Sequence, residues 1–167
     1  MSDAVERLVR QHRFFLCLQC GTCVAACPMW QIFDDYSPEV SPRIVVARAI
    51  RGLEKLEHAG VWFCLTCDLC TDLCPAGVRF RDFIEAARRQ AIEEGVTEYG
   101  SFCRKCGAYL WPLHTVQYLK QMLGEAGQEL LTLCPRCRRY DFGGKVKALT
   151  PGSRRMHSQE TQAGEGR

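Results

Sequence analysis

Cysteine dominates the chemistry open to this chain of 167 residues, with twelve in all. Eight fall in two runs that repeat one another. The first is Cys17, Cys20, Cys23 and Cys27, followed by Pro28; the second is Cys64, Cys67, Cys70 and Cys74, followed by Pro75. Both read C-x2-C-x2-C-x3-C-P, the spacing of a [4Fe–4S] ligand set. A tight C-x2-C-x2-C loop turns three thiolates toward three irons of one cube, and the fourth cysteine points elsewhere. In two-cluster ferredoxins with this motif the fourth ligates the other cube. The expected assignment is therefore Cys17, Cys20, Cys23 and Cys74 for one cluster, and Cys64, Cys67, Cys70 and Cys27 for the second. Disulfides would need an oxidising compartment. Zinc sites take pairs of C-x2-C, not triplets with a trailing Cys-Pro.

The remaining four cysteines form two knuckles, Cys103-Arg104-Lys105-Cys106-Gly107 and Cys134-Pro135-Arg136-Cys137. C-x2-C…C-x2-C is the four-cysteine spacing of zinc ribbons, so structural zinc is expected at Cys103, Cys106, Cys134 and Cys137. Rubredoxin iron sites use similar knuckles, and a single iron is the alternative. Between the knuckles, Thr115 to Leu131 has a helical pattern (Val116, Leu119, Leu123, Leu130) that a rubredoxin would lack. Zinc is redox-silent, so this module would clamp a helix and make a partner surface.

The elements that must hold these cysteines are mainly helical. Asp3 to Phe15 is predicted as a helix, with Val5, Leu8, Val9 and His12 on one face. Residues 28–42 are expected to be irregular, with Met29, Trp30, Ile32 and Phe33 keeping water from a cluster. Ser41-Pro42-Arg43 is a helix start. That helix is expected to run to about Ala59 and stop at Gly60, with Ile44, Val45, Ala47, Ile50, Leu53 and Leu56 as its apolar stripe. Trp62 and Phe63 lead into the second run, Ala76-Gly77-Val78 turns, and Phe80 to Glu94 is the next helix, ended by Gly95. Its inner face is Phe83, Ile84, Ala87 and Ala91. The order helix, cluster run, helix, cluster run, helix is an internal repeat of about 47 residues. Small bacterial ferredoxins join their runs by strands and turns, so a helical connector points to an α-helical ferredoxin fold. The expected division is a dicluster domain over 1–98, a four-cysteine module over 99–150, and a polar, disordered tail over 151–167.

The net charge of +3 hides an asymmetry. Residues 1–98 hold 11 Lys and Arg against 14 Asp and Glu, a net −3; residues 99–167 hold 11 against 5, a net +6. A basic half suits nucleic acid. It equally offsets four thiolates on a divalent metal, since Arg104, Lys105, Arg136, Arg138 and Arg139 flank the knuckles. The absence of aromatic–basic interleaving favours the second reading. No signal peptide is evident and no stretch approaches the ~18 apolar residues of a membrane span, so a reduced, cytoplasmic protein is expected. No G-x-G-x-x-G or Walker loop is present. None of His12, His58, His114 and His157 forms a recognisable motif with a carboxylate. No catalytic base or substrate site is visible.

Several features together resemble the C subunits of heterodisulfide reductases and their bacterial homologues. They are the Cys-Gly-Thr-Cys core of the first run, Tyr36-Ser37-Pro38, Ser41-Pro42-Arg43, Gly52, Trp62 before Cys64, and Cys74-Pro75-Ala76-Gly77-Val78. The resemblance covers roughly residues 10–95. It implies a two-cluster protein passing single electrons between two partners of the same complex. One is the flavin and iron–sulfur partner of A type, the other the disulfide-reducing partner of B type. The four-cysteine module after Glu98 departs from the simplest members. The iron–sulfur component of a quinone-linked dehydrogenase, of fumarate reductase or glycolate oxidase type, is the rival. It lacks support from any [2Fe–2S] domain. A metal-stabilised nucleic-acid-binding or scaffold protein is the remote alternative.

Overall fold

The computed structural model describes residues 3–149; the expected tail over 151–167 lies outside them. The chain divides into two compact units, one holding the chain up to Ser101 plus Trp111–Met122, the other Phe102–Leu110 plus the chain from Leu123 on. Both are mainly helical. In chain order the first hundred residues give α1 (Asp3–Gln11), α2 (Thr22–Ala25), α3 (Met29–Ile32), α4 (Pro42–Ile50), α5 (Ala59–Phe63), α6 (Leu69–Asp72) and α7 (Phe80–Glu93).

The first unit is built on α1, α4 and α7. Val5, Val9 and His12 are buried, as the helical period of the N-terminal stretch requires. The α1 helix stops at Gln11, and a 3-10 turn, Phe14–Leu16, carries the chain into the first cysteine run. Phe83, Ile84, Ala87 and Ala91 on α7 are wholly buried. The Phe14 ring sits 4.4 Å from that of Phe83, tying the run to α7. Gly95, at φ +89°, ends α7, a conformation that only glycine adopts without strain.

The connector between the runs differs from its expectation. Residues 28–42 are not simply irregular, since α3 and a 3-10 turn at Pro38–Val40 lie within them. Helix α4 does begin at Pro42 after an extended Ser41, but it ends at Ile50 rather than near Ala59. Gly52 turns the chain at φ +71°, breaking the periodic pattern that otherwise reads through it. The buried face of α4 is Val45, Val46 and Ala49, while Ile44 and Leu53 are exposed. Gly60 is not a stop but a buried residue inside α5. A Cβ there would lie 2.5 Å from Val45 Cγ2, so glycine lets α5 approach α4. Between these helices the Glu54 carboxylate is buried, with Arg48 Nε at 3.3 Å and His58 Nδ1 at 3.2 Å.

After α7 the strands β1 (Gly100–Phe102) and β2 (Tyr109–Pro112) form a two-stranded sheet that supplies residues to both units. The segment expected to be one helix over Thr115–Leu131 is broken. It gives α8 (Leu113–Met122), α9 (Glu125–Gln128) and a 3-10 turn, Glu129–Thr132, with Gly124 extended at the break. Helix α8 belongs to the first unit, where His114 stacks on Phe33 and Phe63. In the second unit Leu131, Leu133, Cys103 and Cys134 are buried, and a further helix, α10 (Pro135–Leu149), follows the second knuckle. Sequence periodicity gave no sign of α10, whose interior carries Gly143 and Gly144.

Candidate metal centres

The two cysteine runs adopt the same local backbone at a spacing of 47 residues. Gln19 and Thr66 both have φ +53°, and Gly21 and Asp68 have φ +85° and +71°. A one-turn helix then follows each, α2 after the first and α6 after the second. Left-handed residues between the thiols curl each loop so that its sulfurs face inward. Backbone amides donate to several sulfurs: Thr66 N–H to Cys64 Sγ at 3.3 Å, and Val78 N–H to Cys74 Sγ at 3.4 Å. Such donors stabilise negative charge on sulfur.

Two cavities result. Cys17, Cys20, Cys23 and Cys74 line the first, of about 460 Å³ including its open mouth, together with Leu18, Arg43 and Val78. Cys27, Cys64, Cys67 and Cys70 line the second, of about 330 Å³, together with Met29, Asp68 and Arg81. Cys70 and Pro42 line both, so the cavities adjoin. At least four thiols, amide donors to sulfur and a largely apolar wall in each cavity fit an iron–sulfur cube. Burial pushes the Cys23 and Cys64 thiols up to about 11 and Cys70 up to about 12. As free thiols they keep their protons at neutral pH, and a metal must displace them.

Of the expected shielding residues, Met29 lines the second cavity and Phe33 is buried, but Trp30 is 57 % exposed and shields nothing. Phe33 packs instead on Phe63, with ring centres 5.4 Å apart. The histidines also depart from expectation. His58 lies beside Glu54, and His114 Nε2 lies 3.2 Å from both oxygens of Asp35. The pairing of His114 with Asp35 spans 79 residues, beyond the reach of a local motif.

Sequence reasoning missed two arginines. Arg88 is buried on α7; its Nε donates to the Val61 carbonyl at 2.9 Å, and its Nη2 donates to the Cys64 carbonyl. It thereby fixes the backbone leading into the second run. A lone arginine four residues after Ile84 on an apolar stripe is the signal for it. Arg81 Nη1 donates to Asp68 Oδ2 at 3.0 Å, and its Nε to Glu85 Oε1 at 3.1 Å. Both Asp68 and Arg81 line the second cavity, so the acidic residue of the second loop is paired.

The second unit brings Cys103, Cys106, Cys134 and Cys137 together, with all four sulfurs within 4.8 Å of one another. Cys106 Sγ and Cys134 Sγ are 3.6 Å apart. Tetrahedral zinc with Zn–S near 2.3 Å places its sulfurs ~3.8 Å apart, so the set fits such an ion. Cys134 N–H donates to Cys103 Sγ, and Cys137 N–H to Cys134 Sγ, both at 3.3 Å. The first bond holds the Cys103 thiol down at about 6. Its partner Cys137 is pushed up to about 12 by sharing a hydrogen bond with Cys134. Lys105 pairs with Asp141, and Arg138 donates to the Leu130 carbonyl, so part of the basic excess is used within the module.

Residues 14–78 match the 4Fe-4S dicluster domain family. The chain is 33 % identical over 100 residues to the iron-sulfur C subunit of CoB–CoM heterodisulfide reductase from Methanopyrus kandleri, covering 57 % of this chain and 50 % of that protein. It is 30 % identical over 118 residues to the C subunit of ferredoxin:CoB-CoM heterodisulfide reductase from Methanosarcina acetivorans, covering 65 % and 46 %. With the C subunit of H(2):CoB-CoM heterodisulfide,ferredoxin reductase from Methanothermobacter thermautotrophicus it shares 32 % over 98 residues, covering 54 % and 50 %. The chain spans about half the length of these curated relatives. Over residues 14–78 the chain is thus similar to 4Fe-4S dicluster domains, and over about 100 residues to heterodisulfide reductase C subunits.

Proposed function

We propose that this chain is an electron-relay subunit of a heterodisulfide-reductase-like complex. The observation that carries the reading is the pair of adjoining four-cysteine cavities that share Cys70 and Pro42. When bound, each [4Fe–4S] cluster supplies a reversible one-electron centre. Cys17, Cys20, Cys23 and Cys74 hold one, and Cys64, Cys67, Cys70 and Cys27 hold the other. Arg88 fixes the second loop, and Met29 in the wall of its cavity excludes water there. The partners are a flavin and iron–sulfur subunit of A type and a disulfide-reducing or other catalytic subunit of B type, by likeness to the relatives. Cys103, Cys106, Cys134 and Cys137 hold a structural zinc. The working division is a dicluster domain over 1–98 and a four-cysteine module within 99–150, with α8 counted in the first compact unit.

The compartment in this reading is the reducing cytoplasm, where thiols kept for metal ligation stay reduced. Among the described residues no helix is long and apolar enough to cross a membrane. The test is metal and acid-labile sulfide per chain, on protein purified without oxygen. About 8 iron, 8 sulfide and 1 zinc is the expected result. About 9 iron without zinc would make the third site a redox stop. Zinc without sulfide, after cluster reconstitution, would overturn the relay.

A further inference from the structure

The two cysteine runs correspond position for position at a shift of 47, yet their surroundings differ. Phe15, Leu16 and Leu18 of the first run stand where Trp62, Phe63 and Leu65 stand in the second. In the second run the protein covers these positions itself. Trp62 is only 3 % exposed, its Nε1 donates to the Leu56 carbonyl at 2.8 Å, and the Tyr99 ring lies 5.9 Å away. Phe63 carries the His114 imidazole of α8, with ring centres 4.0 Å apart. In the first run the same three positions are 58, 52 and 70 % exposed.

Three large apolar side chains left in water around one thiolate loop mark an interaction site. Leu18 also lines the first cavity, and Cys20 is exposed beside it. The charge at the rim has one sign. Arg43 Nη1 lies 4.0 Å from the Cβ position of Gly21, and Arg13 Nη1 lies 4.0 Å from that of Gly77. Both arginines are exposed, and among the described residues lining the first cavity none is acidic.

We infer that Phe15, Leu16 and Leu18, with Arg13 and Arg43 at their rim, are the docking face for a redox-partner protein. The partner presents an apolar helix or loop edged by carboxylates, which covers these side chains as Tyr99 and His114 cover Trp62 and Phe63. The face rests on the electron-relay reading. Its apolar centre supplies affinity, and its two guanidiniums steer the encounter and make it salt-dependent.

The test is hydrogen exchange on the complex retained by tagged full-length chain from its own cells, handled without oxygen, against the free holo chain. Amides of residues 13–21 slow about tenfold or more in the complex, while those of 62–66 keep their free rates. Phe15→Glu and Arg13→Glu, at face residues outside the cavity wall, each lower retention of the redox partner about tenfold or more, with cluster absorbance unchanged. Leu53→Glu, as exposed as Phe15 but outside the run and the cavity lining, retains it as the wild type does. A redox partner retained with protection only elsewhere, or undiminished by Phe15→Glu, overturns the docking face and leaves the relay standing. Protection of 13–21 in the isolated chain as its concentration rises would assign the face to a second copy and overturn the inference. No redox partner retained by the wild type overturns both readings.

Discussion

Arg81 Nη1 sits 3.0 Å from Asp68 Oδ2, and both side chains line the second cysteine cavity. The first loop has glycine where the second has Asp68. An unpaired carboxylate there would make the second cluster the lower-potential one. The arginine offsets that charge, so the pair sets the local field through its balance. Asp68→Gly removes a negative charge from the cavity wall, leaves Arg81 paired with Glu85 alone, and raises the potential of the second cluster. Arg81→Ala lowers it, and the double variant returns near the wild type. A unit charge about 9 Å away at an effective dielectric of ~20 contributes roughly 2 kcal/mol, so ~80 mV bounds each shift. Redox titration followed by EPR reads all three. No upward shift in Asp68→Gly would remove Asp68 from the electrostatics of the site.

Gly60 is constrained by packing. Its Cβ position lies 2.5 Å from Val45 Cγ2 and 3.8 Å from Glu54 Oε1. Gly60→Ala therefore forces α5 from α4, at a cost of roughly 1–3 kcal/mol. Denaturant midpoints of the holo protein should fall accordingly, and Val45→Ala in the same chain should restore part of the loss. An unchanged midpoint in the single variant would mean that the two helices tolerate the shift.

Burial pushes the Glu54 carboxyl up to about 7, against the opposing pull of Arg48. The folded state therefore keeps a proton that the unfolded chain has lost between about pH 4.5 and 7. The contribution of this group is full below that window and is lost as pH rises through it. Burial lowers His58, which acts in the opposite sense below its ordinary pKa, so comparison with Glu54→Gln isolates the carboxyl. From pH 5.5 to 7.5 the wild type should lose roughly 2 kcal/mol relative to Glu54→Gln. Parallel denaturant curves for the two proteins at both pH values would exclude a buried proton at Glu54.

The four-cysteine site and the cavities belong to different compact units, and their metals should come out separately. A strong zinc chelator, or Cys134→Ala, should melt the second unit, with loss of far-ultraviolet helical signal. The visible absorbance of the clusters should stay. Loss of that absorbance in step with zinc would show that the first unit keeps its clusters only while the second is folded.

The sequence made the ligand chemistry legible because thiol spacing is a local property. The runs, the knuckles, the Ser41-Pro42 helix start and the Gly95 stop all follow from contacts within a few residues. The errors came where a long-range contact decided the outcome. Gly60 reads as a helix stop until the methyl of Val45 is seen against it, and Gly52, which ends α4, sits inside an apolar pattern that runs through it. Trp30 follows a ligand closely yet faces water, while His114, far along the chain, stacks on Phe63. Arg88 is visible only as a misplaced charge on an apolar face. Its role depends on the carbonyls of Val61 and Cys64, which α7 meets only in the folded chain.

Each cysteine run leaves its own cavity open on one side. Cys74 completes the wall of the first, and Cys27 that of the second. During synthesis, the N-terminal run leaves the ribosome with three of its wall thiols and must wait for the fourth, supplied 57 positions after Cys17. Until then iron delivered to the nascent chain meets an incomplete cage. On the proposed ligand assignment, loading is therefore a late event, after translation has passed the second run. A truncation between the runs would leave the first cavity without Cys74.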